Sequence, residues 1–182
     1  MSNYRRAKTN GGTYFFTVVT YRRQHFLCNA AVRAALRASI VDTQQKHPFI
    51  IDGWVLFPDH LHCIWTLPED DADFGIRWAM IKRFVTKQCG SELYRDDWMN
   101  TSKRKRNEST LWQRRFWEHQ IRDDADYASH MDYLHYNPVK HGFVKQVKDW
   151  PHSTFHRYVR AGIYGENWGN NGIEVIDNEF GE

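Results

Sequence analysis

The stretch Phe49-Ile50-Ile51-Asp52-Gly53-Trp54-Val55-Leu56-Phe57-Pro58-Asp59-His60-Leu61-His62-Cys63-Ile64-Trp65-Thr66-Leu67 decides the fold. Two runs rich in β-branched and aromatic residues flank Pro58-Asp59, a pair suited to a tight turn. The stretch therefore reads as a hairpin of two strands, Phe49 to Phe57 and His60 to Leu67. Side chains alternate faces along a strand, so His60 and His62 point the same way and can grip one cation together.

Upstream, Gly11-Gly12 leads into Thr13-Tyr14-Phe15-Phe16-Thr17-Val18-Val19-Thr20, a further strand by the same criteria. Between it and the hairpin, Val32, Leu36, Ile40 and Val41 recur at helical spacing. They predict a helix from Ala30 to Lys46, with Asn29 as N-cap and His47-Pro48 as the stop. Downstream, the acids between Glu69 and Asp73 suit the dipole of a helix running from Phe74 to Cys89. Residues 90 to 110 are polar and lack apolar periodicity, and read as a mobile basic loop. A short fourth strand falls near Glu118 to Arg122, and Asp123-Asp124 starts a helix from Ala125 to Tyr136. Its end is set at Asn137 because a residue before proline is pushed out of the α region. Val139 to Val147 reads as a turn with some extended structure, and Pro151 to Arg160 as a short helix or turn. The order strand, helix, strand, strand, helix, strand is that of an α+β, ferredoxin-like antiparallel sheet with helices packed on one face, leaving the other free for chemistry. A tyrosine-bearing helix and a C-terminal extension follow.

The chain has 182 residues, enough for one domain with a sizeable core. We expect a single catalytic domain over residues 1–165 and an acidic tail over 166–182. The formal charge of +3 is unevenly spread. Glu166, Glu174, Asp177, Glu179 and Glu182 make the tail acidic, and removing those five leaves residues 1–165 at +8. Arg5, Arg6, Lys8, Arg22 and Arg23 fall in an opening stretch without acids. Lys103, Arg104, Lys105, Arg106, Arg114, Arg115 and Arg122 face only Glu108 and Glu118. That balance suits a polyanion. Eight Trp, nine Tyr and eleven Phe provide flat surfaces for base stacking as well as a core. Cys28, Cys63 and Cys89 are odd in number and form no C-x-x-C pair, which argues for a reducing compartment and against a disulfide framework or a cysteine zinc site. No stretch approaches ~18 apolar residues, and a soluble, intracellular protein is expected.

The chemistry centres on His60, His62 and the run Tyr133-Leu134-His135-Tyr136-Asn137-Pro138. On a helix Tyr133 and Asn137 lie one turn apart on one face. Two imidazoles with an amide oxygen suit Mg²⁺ or Mn²⁺ better than a closed zinc site. A phenol delivered in line with phosphorus is a competent nucleophile once the phosphate charge is neutralised. Tyr127 and Tyr136 compete for that role, but at ~100° per residue Tyr133 falls nearest to Asn137 on the wheel. His119, His135 and His141 are candidates for phosphate contact or protonation, and Lys140 and Lys145 for holding DNA backbone.

Gly12-Thr13-Tyr14-Phe15-Phe16-Thr17, Leu56-Phe57-Pro58-Asp59-His60-Leu61-His62, Trp112-Gln113-Arg114-Arg115-Phe116-Trp117-Glu118-His119, and Tyr133 through Gly142 occur in that order. Together they resemble the REP-associated tyrosine transposases, bacterial relatives of the single-strand insertion-sequence transposases within the HUH endonuclease group. The resemblance spans about Arg5 to Tyr158. It implies a cytoplasmic, nucleoid-associated bacterial enzyme that binds hairpins of palindromic repeats and cleaves and joins single-stranded DNA. Tyr133 would form a 5′-phosphotyrosine link, with His60, His62 and Asn137 holding Mg²⁺ or Mn²⁺. The insertion-sequence relatives have a glutamine where this chain has Asn137, and the repeat-associated branch implies a monomer. Arg5, Arg6, Arg22, Arg23, Lys103, Arg104, Lys105, Arg106, Arg114, Arg115, His119 and Lys140 are the expected DNA contacts.

Overall fold

The computed structural model describes residues 9–172. Arg5, Arg6 and Lys8, and the tail acids Glu174, Asp177, Glu179 and Glu182, lie outside the described residues. The elements run β1 (Thr13–Val19), α1 (Ala30–Lys46), β2 (Ile50–Leu56), β3 (His60–Thr66), α2 (Phe74–Leu93), α3 (Thr101–Lys105), β4 (Trp117–Gln120), α4 (Asp124–Lys140) and α5 (Phe155–Arg160). The four strands form one antiparallel sheet in the order β2-β3-β1-β4. This is the ferredoxin-like arrangement expected, with β3, the histidine strand, in the interior.

Strand alternation divides the sheet's side chains into two cores. Tyr14, Phe16 and Val18 on β1, with Leu61, Cys63 and Trp65 on β3, pack against α1 and α2. Trp65 stacks on Trp78 of α2 at 4.2 Å between centroids. Fully burying an apolar side chain of this kind contributes roughly 1.5–3 kcal/mol. Phe15, Val55 and Ile64 face the other way and pack with Met131, Tyr133 and Leu134 of α4. The expectation of helices on one face only is therefore corrected: apolar side chains on the second face also need cover, and α4 supplies it. Gly53 makes room for that approach, since a Cβ there would meet Met131 Sδ at 2.9 Å and Leu134 Cδ1 at 3.2 Å.

Other boundaries differ for identifiable reasons. The segment read as a mobile basic loop is largely ordered into helix: α2 continues to Leu93, a 3₁₀ turn spans Asp96–Trp98, and α3 follows. The Asn100 side chain caps α3 by accepting from Lys103 N at 2.9 Å. Pro138 lies inside α4 rather than beyond its end. An interior proline costs about 3 kcal/mol, and burial of Leu134, Asn137 and Pro138 on one stretch of helix opposes that cost. Val139 to Val147 holds the expected turn at His141 and Gly142 and extended backbone at Gln146, but α4 runs on to Lys140 and a 3₁₀ turn occupies Val147–Asp149.

The outer edge of β2 is closed by chain from the far end of the sequence. Leu56 N donates to His152 O, Thr154 N to Trp54 O, and Trp54 N to Thr154 Oγ1, each at 2.8–2.9 Å. Tyr158 Oη donates to Asp52 O at 2.9 Å. Such a covered edge cannot pair with another sheet.

Candidate active site

The hairpin and α4 bring the histidines and the tyrosine together. His62 pairs in register with Thr17 across β1 and β3, and Thr17 Oγ1 is 2.9 Å from His62 Nδ1. His60 Nδ1 lies 2.7 Å from Asp59 Oδ1, so it donates to the carboxylate. Both contacts tie the δ nitrogens, the arrangement by which an outer partner fixes the tautomer of a metal-binding imidazole. His60 Nε2 is buried and has no hydrogen-bond partner among the described residues. The two rings stand 5.0 Å apart.

Burial would raise the pKa of Asp59, but hydrogen bonds and charge from His60 and Arg23 outweigh it and bring it down to about 2. The carboxylate therefore stays ionised across the physiological range. Arg23 Nη1 reaches Asp59 Oδ2 at 3.3 Å. Arg22 and Arg23 both sit at positive φ, 56° and 54°. The turn that holds them is secured by Thr20, whose N and Oγ1 both donate to Asp59 O. That strained turn also puts Arg22 over the Trp98 ring at 4.9 Å.

On α4 the Tyr133 ring meets His62 edge-on at 5.5 Å, and two turns later the His141 ring meets His60 at 5.7 Å. Asn137 lies between them along the helix, one turn beyond Tyr133, and is fully buried. Lys140 Nζ lies over the Tyr133 ring at 4.9 Å. His60 and His62 thus hold two imidazoles 5.0 Å apart beneath the helix that carries Tyr133 and Asn137. The unmatched ε nitrogen of His60 and the neutral, borderline donor set fit a divalent cation with positions left for phosphate oxygens. The rival tyrosines are placed elsewhere. Tyr127 Oη lies 3.5 Å from Tyr158 Oη, with a pKa raised first by burial and then by that contact. Tyr136 packs against Gly169. His135 accepts a structural role: its Nε2 bonds Thr154 Oγ1 at 2.9 Å, and burial lowers its pKa to about 3.

The expected DNA contacts are dispersed. Arg114 and Arg115 are exposed, as are Arg104, Lys105 and Arg106. Arg104 Nη2 pairs with Asp96 at 3.1 Å, and Glu108 draws in both Arg106 and Arg114 at 3.6 and 3.4 Å. Lys103 is corrected: it is 7% exposed, with Nζ over the Tyr21 ring at 3.9 Å and donating to Ser109 O, so it serves the interior. His119 is also engaged internally, through Asp126 at 2.9 Å. Asp126 accepts from Arg122 and lies 3.0 Å from His130 as well. His119, Asp126 and His130 offer ligand atoms within 4.8 Å of one another. The two imidazoles stack at 4.4 Å and 13°, however, so their in-plane lone pairs run side by side rather than converging. We read them as a clasp fastening β4 to the opening turns of α4. The residues missed at the level of sequence are Asp59, Thr17 and this clasp. An aspartate immediately before the first histidine was a signal for the first; the others depend on strand register and on the β4–α4 connection.

A histidine pair on the interior strand of a ferredoxin-like sheet, overlaid by a helix carrying tyrosine and asparagine one turn apart, is the arrangement that the resemblance to tyrosine transposases implies. No family model matches the chain. It is 45% identical over all of its residues to the REP-associated tyrosine transposase of Escherichia coli K12, covering 98% of that protein. Over 94% of its length it is 47% identical to a protein of Haemophilus influenzae Rd named as a putative REP-associated tyrosine transposase, covering 95% of it. A solved REP-associated tyrosine transposase bound to a REP hairpin superimposes with a TM-score of 0.83 at 45% identity, over 100% of this chain and 98% of that one. The chain belongs to the REP-associated tyrosine transposases.

Proposed function

We propose that this enzyme cleaves and rejoins single-stranded DNA beside REP-type hairpins, with Tyr133 as nucleophile and His60, His62 and Asn137 holding Mg²⁺ or Mn²⁺. The observation that carries the reading is the meeting of Tyr133 with His62 and of His141 with His60. The hairpin follows from the solved relative, which is bound to one. When bound, the cation supplies charge neutralisation at a non-bridging phosphate oxygen. Tyr133 Oη attacks phosphorus and gives up its proton. The bond from phosphorus to the 3′ oxygen breaks, and that oxygen leaves as a 3′-hydroxyl after taking a proton. A 5′-phosphotyrosine remains, and attack by a 3′-hydroxyl restores the phosphodiester and returns the proton to tyrosine. Tyr133 is 1% exposed, so a strand reaches it only with local rearrangement over the ring, where the flexible Lys140 side chain lies.

Arg22, Arg23, Arg104, Lys105, Arg106, Arg114, Arg115 and Lys140, with Arg5 and Arg6 outside the described residues, are proposed to hold DNA backbone. Residues 1–165 act as one catalytic unit, with 166–182 as a tail. No helix among the described residues is long and apolar enough to cross a membrane, and action on chromosomal DNA places the protein in the bacterial cytoplasm. Because the β4–α4 connection is only a few residues long, Tyr133 serves the histidines of its own chain, consistent with a monomer.

The test is incubation with end-labelled hairpin oligonucleotides and Mg²⁺ or Mn²⁺, resolved on denaturing gels beside Tyr133→Phe. A covalent adduct that requires the metal and disappears in the variant is expected. Cleavage retained by Tyr133→Phe would give the reaction to an activated water, and tight binding without cleavage would leave a hairpin-binding module.

A further inference from the structure

On the side of the sheet away from Tyr133, a groove of about 490 Å³ opens between α1, the edge strand β2 and the segment just before α5. This lies within the roughly 300–1,000 Å³ of ligand sites in general. Its floor is apolar: Ile40, Ile51 and Trp54 line it, all half-buried. Its rim is cationic. Arg33 and Arg37 lie one turn apart on α1, Arg157 faces them from α5, and among the described residues no carboxylate lines the groove. Arg157 is anchored by Nη2 to the carbonyls of Ile51 and Asp52. Arg33 donates from Nη1 to His152 Nδ1 at 3.3 Å, while its Nε is buried and has no hydrogen-bond acceptor among the described residues. Burial and the two neighbouring arginines lower the pKa of His152, which keeps it neutral and able to accept.

A run of rings joins this groove to the histidine pair around the end of the β2–β3 hairpin. His152 contacts Trp150 at 5.7 Å, Trp150 lies beside Phe143, the exposed His141 lies 6.4 Å beyond Phe143, and His141 meets His60 at 5.7 Å, with the fully buried Phe57 packed behind Trp150 and His60. Phe143, 45% exposed, lies beside both Trp150 and Phe57 at 5.2 and 5.5 Å. Aromatic surfaces accept any base by stacking, and guanidiniums accept the phosphates between them, which is how sequence-tolerant single-strand channels are built.

We infer that the Arg33-Arg37-Arg157 groove is a subsite for unpaired nucleotides flanking the hairpin, which leave the active site across Phe143 and Trp150 and rest against Trp54. This rests on the proposed action on single-stranded DNA and adds where the unpaired flank runs. The hairpin stem is not required in the groove. An acidic polypeptide is the other ligand that three arginines could hold, but it would have no use for the ring-to-ring path that ends at the histidines.

The experiment uses the full chain with fluorescent hairpin oligonucleotides that either carry or lack a single-stranded flank, comparing wild type with the double variant Arg33→Gln, Arg37→Gln. Neither arginine belongs to the proposed catalytic set. Losing two phosphate contacts to a single strand lowers the salt slope of log affinity by about 1.4 and affinity near 0.15 M salt by about tenfold. That loss is expected for the flanked hairpin and not for the blunt one. A 5-iodouracil placed in the flank is expected to photocrosslink within residues 51–57, located by mass spectrometry. Equal loss on both oligonucleotides, no loss on either, or crosslinks confined elsewhere would overturn the subsite while leaving the Tyr133 adduct intact. Wild type that binds no strand overturns both this inference and the proposed function. Competition by polyglutamate for a site that does not protect the flank would assign the groove to acidic polypeptides instead.

Discussion

Replacing Asp59 with Asn removes one negative charge from beneath His60 while keeping an acceptor for its Nδ1. The backbone oxygen that receives Thr20 N and Oγ1 is also unchanged, so the turn survives. The folded carboxyl titrates at about 2, against 3.8 for the ordinary aspartate. At 1.36 kcal/mol per pKa unit, that difference is worth about 2.5 kcal/mol. Arg23 is half exposed, and solvent screening of its share reduces the expected value to about 1–2 kcal/mol. The folded pKa lies below the unfolded one, so this stabilisation is fully present above about pH 4 and is lost as pH falls through the folded value near 2. Urea unfolding of wild type and Asp59→Asn at intervals from pH 7 to pH 3 should show a gap of about 1–2 kcal/mol at neutral pH, shrinking to about half by pH 3. In parallel, Mn²⁺ affinity by titration calorimetry should fall about 10- to 100-fold, the usual cost of removing an outer partner of a metal-binding histidine. A stability gap that does not change with pH, or an unaltered Mn²⁺ affinity, would refute the role given to Asp59.

Lys103→Met should shift the thermal midpoint by calorimetry yet leave hairpin affinity within error, because the ammonium faces Tyr21 and Ser109; reduced affinity at unchanged stability would return Lys103 to the DNA surface. Gly53→Ala should cost about 1–3 kcal/mol in chemical unfolding by overpacking against Met131 and Leu134, and a neutral result would mean that the methionine yields freely. His135 has a folded pKa of about 3, below that of a free histidine, so it favours the fold above about pH 6.5 and destabilises it by up to about 1.4 kcal/mol per pH unit between there and 3. His135→Gln should flatten the acid limb of a stability-pH curve over that interval, and an unchanged limb would place the titration elsewhere.

The hairpin at Phe49–Leu67 was legible because alternation and a proline-aspartate turn act over a few residues, and α1 came out with both ends correct because His47-Pro48 is a local stop. The shared face of His60 and His62 follows from the same two-residue period. The burial of the second face was not legible: it depends on α4 folding back over Phe15, Val55 and Ile64, and nothing local to Gly53 announces that Met131 lies against it. The rule that ends helices before proline failed at Pro138, where tertiary packing outweighs a local preference. Residues 90–110 misled because their order derives from contacts outside the segment and from a single cap, Lys103 on Tyr21, Arg22 on Trp98 and Asn100 at the head of α3. Of the proposed site, the placement of Tyr133 and Asn137 one turn apart on a helix and of His60 and His62 on one strand was readable from spacing, whereas Thr17 enters only through strand register.

The closure of β2 by residues 152–158 has a consequence for synthesis. The bonds that seal this edge join groups about 100 residues apart, such as Trp54 with Thr154. A chain emerging from the ribosome can bury both hairpin strands against α1 and α2 well before the sealing segment exists. Throughout that interval β2 presents unpaired amides and carbonyls, with Ile50 and Ile51 alongside, to any other nascent chain on the same message. Premature termination just ahead of Pro151 would make that exposure permanent, leaving a polypeptide that holds every proposed catalytic side chain yet is prone to edge-to-edge aggregation. The 152–158 segment therefore closes an edge that every shorter chain leaves open.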